Sequence, residues 1–198
     1  MAETKRPPPW LMRAIKGAAF WICSQRSWTP KRPPRERDVQ RTLLEAAKLP
    51  DAYEIQDEIP YRRFFNGSPP VDVFGKGSRL DFAIRLKNKE TNKYKTVVAC
   101  ELKLMPISEK RFDKDLRRLA ALKERHPNIS TYLVVFSYGR PDAPPDRGRY
   151  PKGRYTTVPE TTFQRCKLVR EFSITTSEEN PKNEVHLFLF EVDGISLI

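Results

Sequence analysis

The chain has 198 residues, of which 38% are hydrophobic and 31% are charged, and its formal net charge is +12. This length is enough for one domain with a full hydrophobic core plus an extension. No run of 18 apolar residues occurs, so the sequence predicts no membrane-spanning helix. The basic excess indicates a polyanionic partner, first nucleic acid and second an anionic membrane surface, although a basic protein that binds neither has the same composition.

Cysteine and histidine are too sparse for a zinc site. The three cysteines, Cys23, Cys100 and Cys166, are widely spaced, and the only histidines are His126 and His186. No C-x-x-C pair occurs, so zinc fingers and related zinc sites lack ligands. Reduced thiols and the absence of a secretory signal pattern predict a cytoplasmic protein.

Residues 1–37 are predicted to form a basic N-terminal extension, followed by an α/β domain over residues 38–198. The extension contains nine basic and two acidic residues, and proline clusters lie on both sides of a short apolar stretch. Residues 10–23 have the periodicity of a short helix. Three roles are open for it: a basic arm on phosphates, a helix docked on the core, or a membrane-surface helix. We favour docking combined with phosphate contact.

A first core helix is predicted over residues 37–48, with Asp38 at its N-cap. Glu45 lies beside the apolar stripe of this helix, so it can face a neighbouring site or simply be solvated. Residues 52–60 follow as a first strand. The next segment, residues 61–77, is irregular and basic, and its arginines Arg62 and Arg63 stand beside Phe64 and Phe65. Such a segment suits phosphate contacts and base stacking, unless the aromatic rings pack beneath the loop.

Residues 78–86 and 94–104 alternate in the manner of strands and are joined by polar turn residues, which predicts a β-hairpin. A turn centred near residues 90 and 91 sets Asp81 opposite Glu101 within about one residue. Because side chains alternate with period 2, Asp81, Glu101 and Lys103 are then expected on one face, together with Ala83. The other face is predicted to carry Leu80, Phe82, Ile84, Cys100, Leu102 and Leu104.

Two carboxylates among apolar strand residues need compensation. Like charges 4 Å apart repel by roughly 4 kcal/mol at an effective dielectric near 20. A hard divalent ion can offset the repulsion and keep sites for waters and phosphate oxygens, while Lys103 acts on a water or a phosphate. A cross-strand ion pair of about 0.2 to 1 kcal/mol is the alternative. Asp72 also lies in a strand-like segment, but the hairpin places only Asp81 opposite Glu101.

In this set of residues the chain resembles the PD-(D/E)XK, or restriction-endonuclease-like, nuclease superfamily. The resemblance implies that Asp81 and Glu101 bind Mg²⁺, with Mn²⁺ as the alternative ion, and that Lys103 completes the catalytic set. It also implies the backbone carbonyl of Leu102 as a metal ligand. An acid from the preceding helix often joins them, and Glu45 is the position that fits.

The resemblance covers about residues 38–137. A helix follows the hairpin, predicted over residues 109–125, and in the superfamily it packs beside the active site, so Arg118 or Lys114 is a candidate contact to the scissile phosphate. A buried strand is predicted over residues 130–138, then a long basic and aromatic loop, then strands over 163–174 and 184–192. The loop residues predicted to contact nucleic acid are Arg140, Arg147, Arg149, Lys152 and Arg154.

Together these elements predict an α/β domain with a mixed central sheet flanked by helices, which agrees with a restriction-endonuclease-like core. The leading hypothesis is a metal-dependent nuclease acting on nucleic acid, with DNA favoured over RNA. The alternatives are a nucleic-acid-binding module with little or no catalysis and a basic protein-interaction factor. A homodimer or a partner protein is compatible with each of them.

Overall fold

The structure is a computed structural model of the chain. It describes residues 7–24, 34–47, 49–65, 69, 72–75, 77–138, 149–161, 164–174 and 184–194.

Within the described residues, three α-helices and a 3₁₀ helix accompany seven strands. The helices are α1 (Pro9–Ser24), α2 (Glu36–Ala46), the 3₁₀ helix (Tyr61–Phe64) and α3 (Glu109–Arg125). The strands are β1 (Tyr53–Pro60), β2 (Arg79–Lys87), β3 (Tyr94–Leu104), β4 (Ser130–Tyr138), β5 (Thr156–Thr157), β6 (Gln164–Ile174) and β7 (Val185–Gly194).

All seven strands form one mixed sheet in the order β1-β2-β3-β4-β7-β6-β5. Strands β3 and β4 are parallel, and the other neighbours are antiparallel. A parallel pair needs a crossover that passes over a face of the sheet, and α3 is that crossover. The prediction of an α/β fold with a mixed sheet flanked by helices is therefore confirmed.

Hydrophobic cores lie on both faces of the sheet. The core on one face of the sheet, hereafter the first core, is covered by helix α3, which contributes Leu116 and Leu119. The core on the other face, hereafter the second core, is covered by helices α1 and α2, which contribute Ile15 and Leu43. Strand β4 alternates between the two cores and is buried on both sides, as its nearly continuous apolar sequence predicts.

Helix α1 is part of the second core although it was predicted to belong to an extension. Seven of its residues are buried. A Cβ added at Gly17 would lie 3.3 Å from the Cβ of Ala46, so the glycine allows α1 and α2 to approach closely. Docking of this segment on the core, one of the three predicted roles, is what the structure shows for residues 9–24.

Helix α2 begins at Glu36, one residue before the predicted start, and the N-cap is Arg35 rather than Asp38. The Asp38 carboxylate instead accepts a hydrogen bond from the backbone N–H of Arg35 over 3.2 Å. Asp38 thus has the role of the third helical residue in a capping box, which explains why an N-cap assignment at this acid was wrong.

The remaining elements lie close to their predicted bounds. Helix α3 and strand β4 match the prediction at both ends, and β6 and β7 pair with each other. The predicted long loop contains the short strand β5. The three cysteines are buried and free of disulfides. No helix among the described residues is long and apolar enough to cross a membrane.

Candidate functional site

The β2–β3 hairpin has the predicted register. Phe82 lies opposite Cys100 and Ala83 lies opposite Ala99, which places Asp81 opposite Glu101 by continuation of the ladder. A register irregularity between Ile84 and Arg85 lies nearer the turn and leaves this end of the hairpin unchanged. The hairpin therefore brings the two predicted acids together.

The predicted division of side chains between the two faces holds with one exception. Phe82, Cys100 and Leu102 belong to the second core. Leu80 was predicted to lie with them, but it belongs to the first core, beside Ile59. At this end of the β1–β2 pair Glu58 has a φ of 49°, which departs from strand geometry, so strict alternation does not extend to Leu80.

The ammonium group of Lys103 lies at the centre of four carboxylates, hereafter the carboxylate cluster. The distances from Lys103 Nζ are 3.0 Å to Glu36 Oε1, 3.6 Å to Asp81 Oδ2, 3.7 Å to Asp115 Oδ2 and 4.0 Å to Glu101 Oε2. The same nitrogen donates a hydrogen bond to the backbone carbonyl of Leu102 over 2.7 Å.

The carboxylate cluster contains more acids than cations. Besides Lys103, the cation that pairs with one of these acids within the described residues is Arg118, which lies 3.0 Å from Asp115. Four acids against two bases leave a charge of −2 if every group is ionised. Because the side chains of Glu101 and Asp115 are only 2% and 5% exposed, water screens this excess poorly.

Burial and crowding shift the pKa values of the cluster. Burial is the main cause that raises the pKa of Glu101 well above its ordinary value, and the neighbouring charges of Asp81 and Asp115 raise it further. Burial also raises the pKa values of Glu36 and Asp115, although the Lys103 charge opposes both shifts. The cluster therefore holds protons more tightly than exposed carboxylates do.

The pKa of Lys103 is raised, so its side chain keeps its positive charge. Burial alone would lower this pKa, but the surrounding carboxylates, Asp115 and Asp81 first, raise it above the ordinary value. Lys103 is consequently a fixed ammonium ion at neutral pH. In this arrangement it can donate hydrogen bonds but cannot accept a proton.

Three further contacts hold the two hairpin acids in position. Asp81 Oδ2 accepts a hydrogen bond of 2.6 Å from the backbone N–H of Leu102. The side-chain amide of Gln40 on α2 donates to the backbone carbonyl of Asp81 over 2.7 Å. The hydroxyl of the buried Tyr61 donates to Glu101 Oε1. The two acids are thus held in place by groups from β3, from α2 and from the 3₁₀ helix.

The donors of the cluster fit a hard divalent cation. They are carboxylate oxygens and one backbone carbonyl, which are the ligands that Mg²⁺ and Mn²⁺ prefer. Among the residues that the structure describes, no three His, Cys, Asp or Glu side chains are arranged to hold a metal ion. Lys103 Nζ lies between these oxygens, where it provides positive charge, so a bound ion would require this ammonium to move aside.

Two open cavities flank the cluster and share Glu36. One, of about 320 Å³, is the basic side: Lys103 and Asp115 line it together with Arg111, Lys114 and Arg118. The other, of about 650 Å³, is the acidic side, where the lining acids are Glu36, Asp57, Glu58 and Asp81. An anionic ligand is favoured on the basic side.

The structure does not bring the predicted helix acid Glu45 to the cluster. Its side chain is 64% exposed and pairs with Arg41 over 2.8 Å. Helix α2 instead supplies Glu36, which preceded the predicted start of the helix. Helix α3 supplies Asp115, which lies with Phe112 and Leu116 on the buried apolar stripe of the helix. A charged residue on such a stripe is a sequence signal for a buried polar site, but Asp115 was not among the predicted site residues.

The residues predicted to contact nucleic acid have different environments. Arg62 and Arg63 are exposed on the 3₁₀ helix, while the adjacent Phe64 and Phe65 pack against the first core. Arg118 is held by Asp115 and by Ser78. In the predicted basic loop, Arg149 pairs with Asp113, Lys152 and Arg154 are exposed, and Arg140 and Arg147 lie outside the described residues.

Comparisons of the chain with models of known families, with curated proteins and with solved structures find no match.

Proposed function

We propose that this protein is a metal-dependent nuclease whose active centre is the carboxylate cluster. The observation that carries the proposal is the convergence of four carboxylates and a backbone carbonyl on Lys103, with more acids than cations. A purely structural ion-pair network gains nothing from buried acids in excess of its cations, because each extra acid must hold a proton or carry an uncompensated charge. A site that receives a divalent cation requires such an excess.

Asp81, Glu101 and the carbonyl of Leu102 would hold the ion. Bound there, Mg²⁺ or Mn²⁺ supplies Lewis-acid stabilisation of charge developing on the phosphate. Lys103, which stays protonated, orients the attacking water or a phosphate oxygen as a hydrogen-bond donor. Glu36 is the most exposed carboxylate of the cluster and has a raised pKa, which suits it to accept a proton from that water.

The basic cavity beside the cluster is where the scissile phosphate would lie. Arg111 and Lys114 line it, and neither forms an ion pair within the described part of the chain. Arg118 is partly neutralised by Asp115 and therefore has a positioning role towards that acid. Free cations next to a cation-binding carboxylate cluster are the arrangement that phosphodiester hydrolysis needs.

Cleavage assays test the proposal. Purified protein is incubated with labelled linear DNA, supercoiled DNA and RNA in Mg²⁺, Mn²⁺ or EDTA. We expect metal-dependent cleavage that falls on the order of 10²-fold or more in Glu101→Gln and is unchanged in Glu45→Gln, a matched change at an acid remote from the cluster. Equal activity of wild type and Glu101→Gln, or no cleavage of any substrate, would contradict the proposal.

A nucleic-acid-binding module without catalysis is the second candidate. The observation that favours it is the position of Lys103 Nζ, which already supplies a charge to all four carboxylates. This function predicts salt-sensitive binding that persists in EDTA, with no cleavage in either metal.

A further inference from the structure

Helix α3 carries a row of cations along one side. Arg111, Lys114, Arg118 and Arg125 occupy positions i, i+3, i+7 and i+14. At 3.6 residues per turn these positions fall within a sector of about 60° around the helix axis. The row begins in the basic cavity beside the carboxylate cluster and ends at the carboxyl terminus of the helix.

At that far end lies a second basic cavity, hereafter the distal cavity. It has a volume of about 390 Å³, and Arg125 lines it together with Arg63 from the 3₁₀ helix and Lys95 from β3. The described residues that line the distal cavity include no Asp or Glu. Its three cations form no ion pair within the described part of the chain, so their charge is available to a ligand.

The distal cavity is separated from the carboxylate cluster by a distance that the secondary structure sets. Lys114 and Arg125 are eleven residues apart on α3, which corresponds to about 16 Å of helix. Lys95 and Glu101 are six residues apart on β3, which corresponds to about 20 Å of strand. The two estimates agree that the sites are distinct and are about 16 to 20 Å apart along α3 and β3.

From this geometry we propose that the distal cavity binds a backbone phosphate of a nucleic-acid strand that runs along α3. The direction of the strand rests on the proposed function, which places the scissile phosphate at the carboxylate cluster. One strand of a duplex advances 3.4 Å along the helix axis per phosphate, so a separation of about 16 Å along that axis corresponds to about five nucleotides. The enzyme therefore prefers substrates that extend at least about five nucleotides to one side of the cleaved bond.

A nucleic acid fits this surface better than other polyanions do. The cations form a line about 21 Å long, from Arg111 to Arg125, with a concave site at its end, and a strand presents its charges in a line. An anionic membrane would instead meet a broad exposed face, and the distal cavity is concave. Arginine in particular can hold a phosphate through two parallel hydrogen bonds.

Binding of oligonucleotides in EDTA tests the inference without requiring cleavage. Fluorescence anisotropy is measured with 5′-labelled DNA, as a 20-nucleotide single strand, a 20-base-pair duplex and a 4-nucleotide strand. The test variant is Arg63→Gln/Lys95→Gln/Arg125→Gln. The control is Lys89→Gln/Lys93→Gln/Arg170→Gln, which removes three exposed cations from the β2–β3 turn and β6 that do not line the distal cavity. Thermal melts verify that both variants are folded.

We expect the test variant to bind the better of the two 20-nucleotide probes at least about tenfold more weakly than wild type, with a salt slope reduced by about one because one phosphate contact is lost. The control variant should bind the 20-nucleotide probes about as tightly as wild type does. The affinity for the 4-nucleotide probe should differ little between the test variant and wild type. Equal weakening in both variants, no weakening in the test variant, or wild-type binding of the short probe as tight as the long ones would overturn the inference. Failure to cleave in Mg²⁺ with this pattern intact would refute only the nuclease proposal.

Discussion

Two polar clusters on the sheet contain the same kinds of residue and differ in their balance of charge. The carboxylate cluster surrounds one lysine with four acids. The second, hereafter the cation-rich cluster, lies on β6, β7 and α3. There Lys167 pairs with Glu191 over 3.4 Å, and Asp193 lies 3.5 Å from Lys123 and 3.9 Å from Arg165.

The cation-rich cluster has one cation in excess, and an aromatic ring stabilises that excess. Three cations lie beside two acids, and the centroid of the Tyr155 ring lies 3.9 Å from the Arg165 guanidinium carbon and 4.2 Å from Lys167 Nζ. Such contacts stabilise cations that are partly removed from water. The carboxylate cluster has the opposite imbalance and is buried more deeply at Glu101. From the acid excess in this less hydrated cluster we therefore expect an added cation to stabilise it more than the cation-rich cluster.

The largest expected effect of a single change is that of Lys103→Met. Removal of the central ammonium leaves four carboxylates with only Arg118, which should lower the free energy of unfolding by about 3–5 kcal/mol at pH 7. Millimolar Mg²⁺ should restore part of the loss. The matched change Lys167→Met should cost less, about 1–3 kcal/mol, with no recovery in Mg²⁺. Thermal melts with Mg²⁺ or EDTA measure both, and recovery of both variants would contradict the comparison.

Glu101→Gln should raise stability at pH 8 in EDTA. Because the folded-state pKa of Glu101 is raised, the folded protein holds the extra proton, and stability falls as pH rises from the ordinary value of 4.5 through the folded pKa. Glutamine cannot ionise, so the gain should be on the order of 1–2 kcal/mol, a shift in Tm of a few degrees, and should vanish below about pH 4.5.

Its counterpart Glu191→Gln tests whether this gain depends on the imbalance of charge. It leaves Lys167 without its acid, so stability should be unchanged or lower by up to about 1 kcal/mol. Melting curves from pH 4 to pH 9 compare the two variants. A gain of the same size in Glu191→Gln would show that burial alone, and not the acid excess, controls the effect.

The smallest effects are expected from substitutions of Tyr61, beside the carboxylate cluster, and of Tyr155, beside the cation-rich cluster. Tyr61→Phe removes the hydroxyl that donates to Glu101, which should cost about 1 kcal/mol and shift the pH–rate profile of any cleavage to higher pH. Tyr155→Phe keeps the ring face that contacts two cations and should change stability by less than about 0.5 kcal/mol. A pH–rate profile unchanged in Tyr61→Phe would show that this hydroxyl has only a structural role.

The sequence was sufficient to predict the hairpin and its acids because strand alternation and a short turn fix the register locally. Asp81, Glu101 and Lys103 lie together for that reason. Burial also followed from pattern, since the near-continuous apolar run of β4 could be accommodated only at the centre of a sheet.

The helical acids could not be assigned in the same way. Whether a residue on a helix reaches a distant strand depends on where the helix starts and how it is rotated, and both are set by packing between elements. Placing the start one residue late removed Glu36 from consideration and left Glu45 as the acid on that helix. Asp115 was recognisable in principle, as a charge within an apolar stripe, but its partner Lys103 is twelve residues away on another element.

The position of α1 in the second core has a consequence for how the chain reaches this fold. The buried face of α1 contacts the last strand, β7, and the thiol of Cys23 donates to the carbonyl of Ile174 at the end of β6. The apolar face of α1 is therefore fully covered only after β6 and β7 have been synthesised, and the Cys23–Ile174 contact joins residues 151 positions apart. Contacts between residues so far apart in the sequence slow folding, because a long loop must close before they form. Until those strands are made, the part of the α1 face that they cover is an exposed hydrophobic surface.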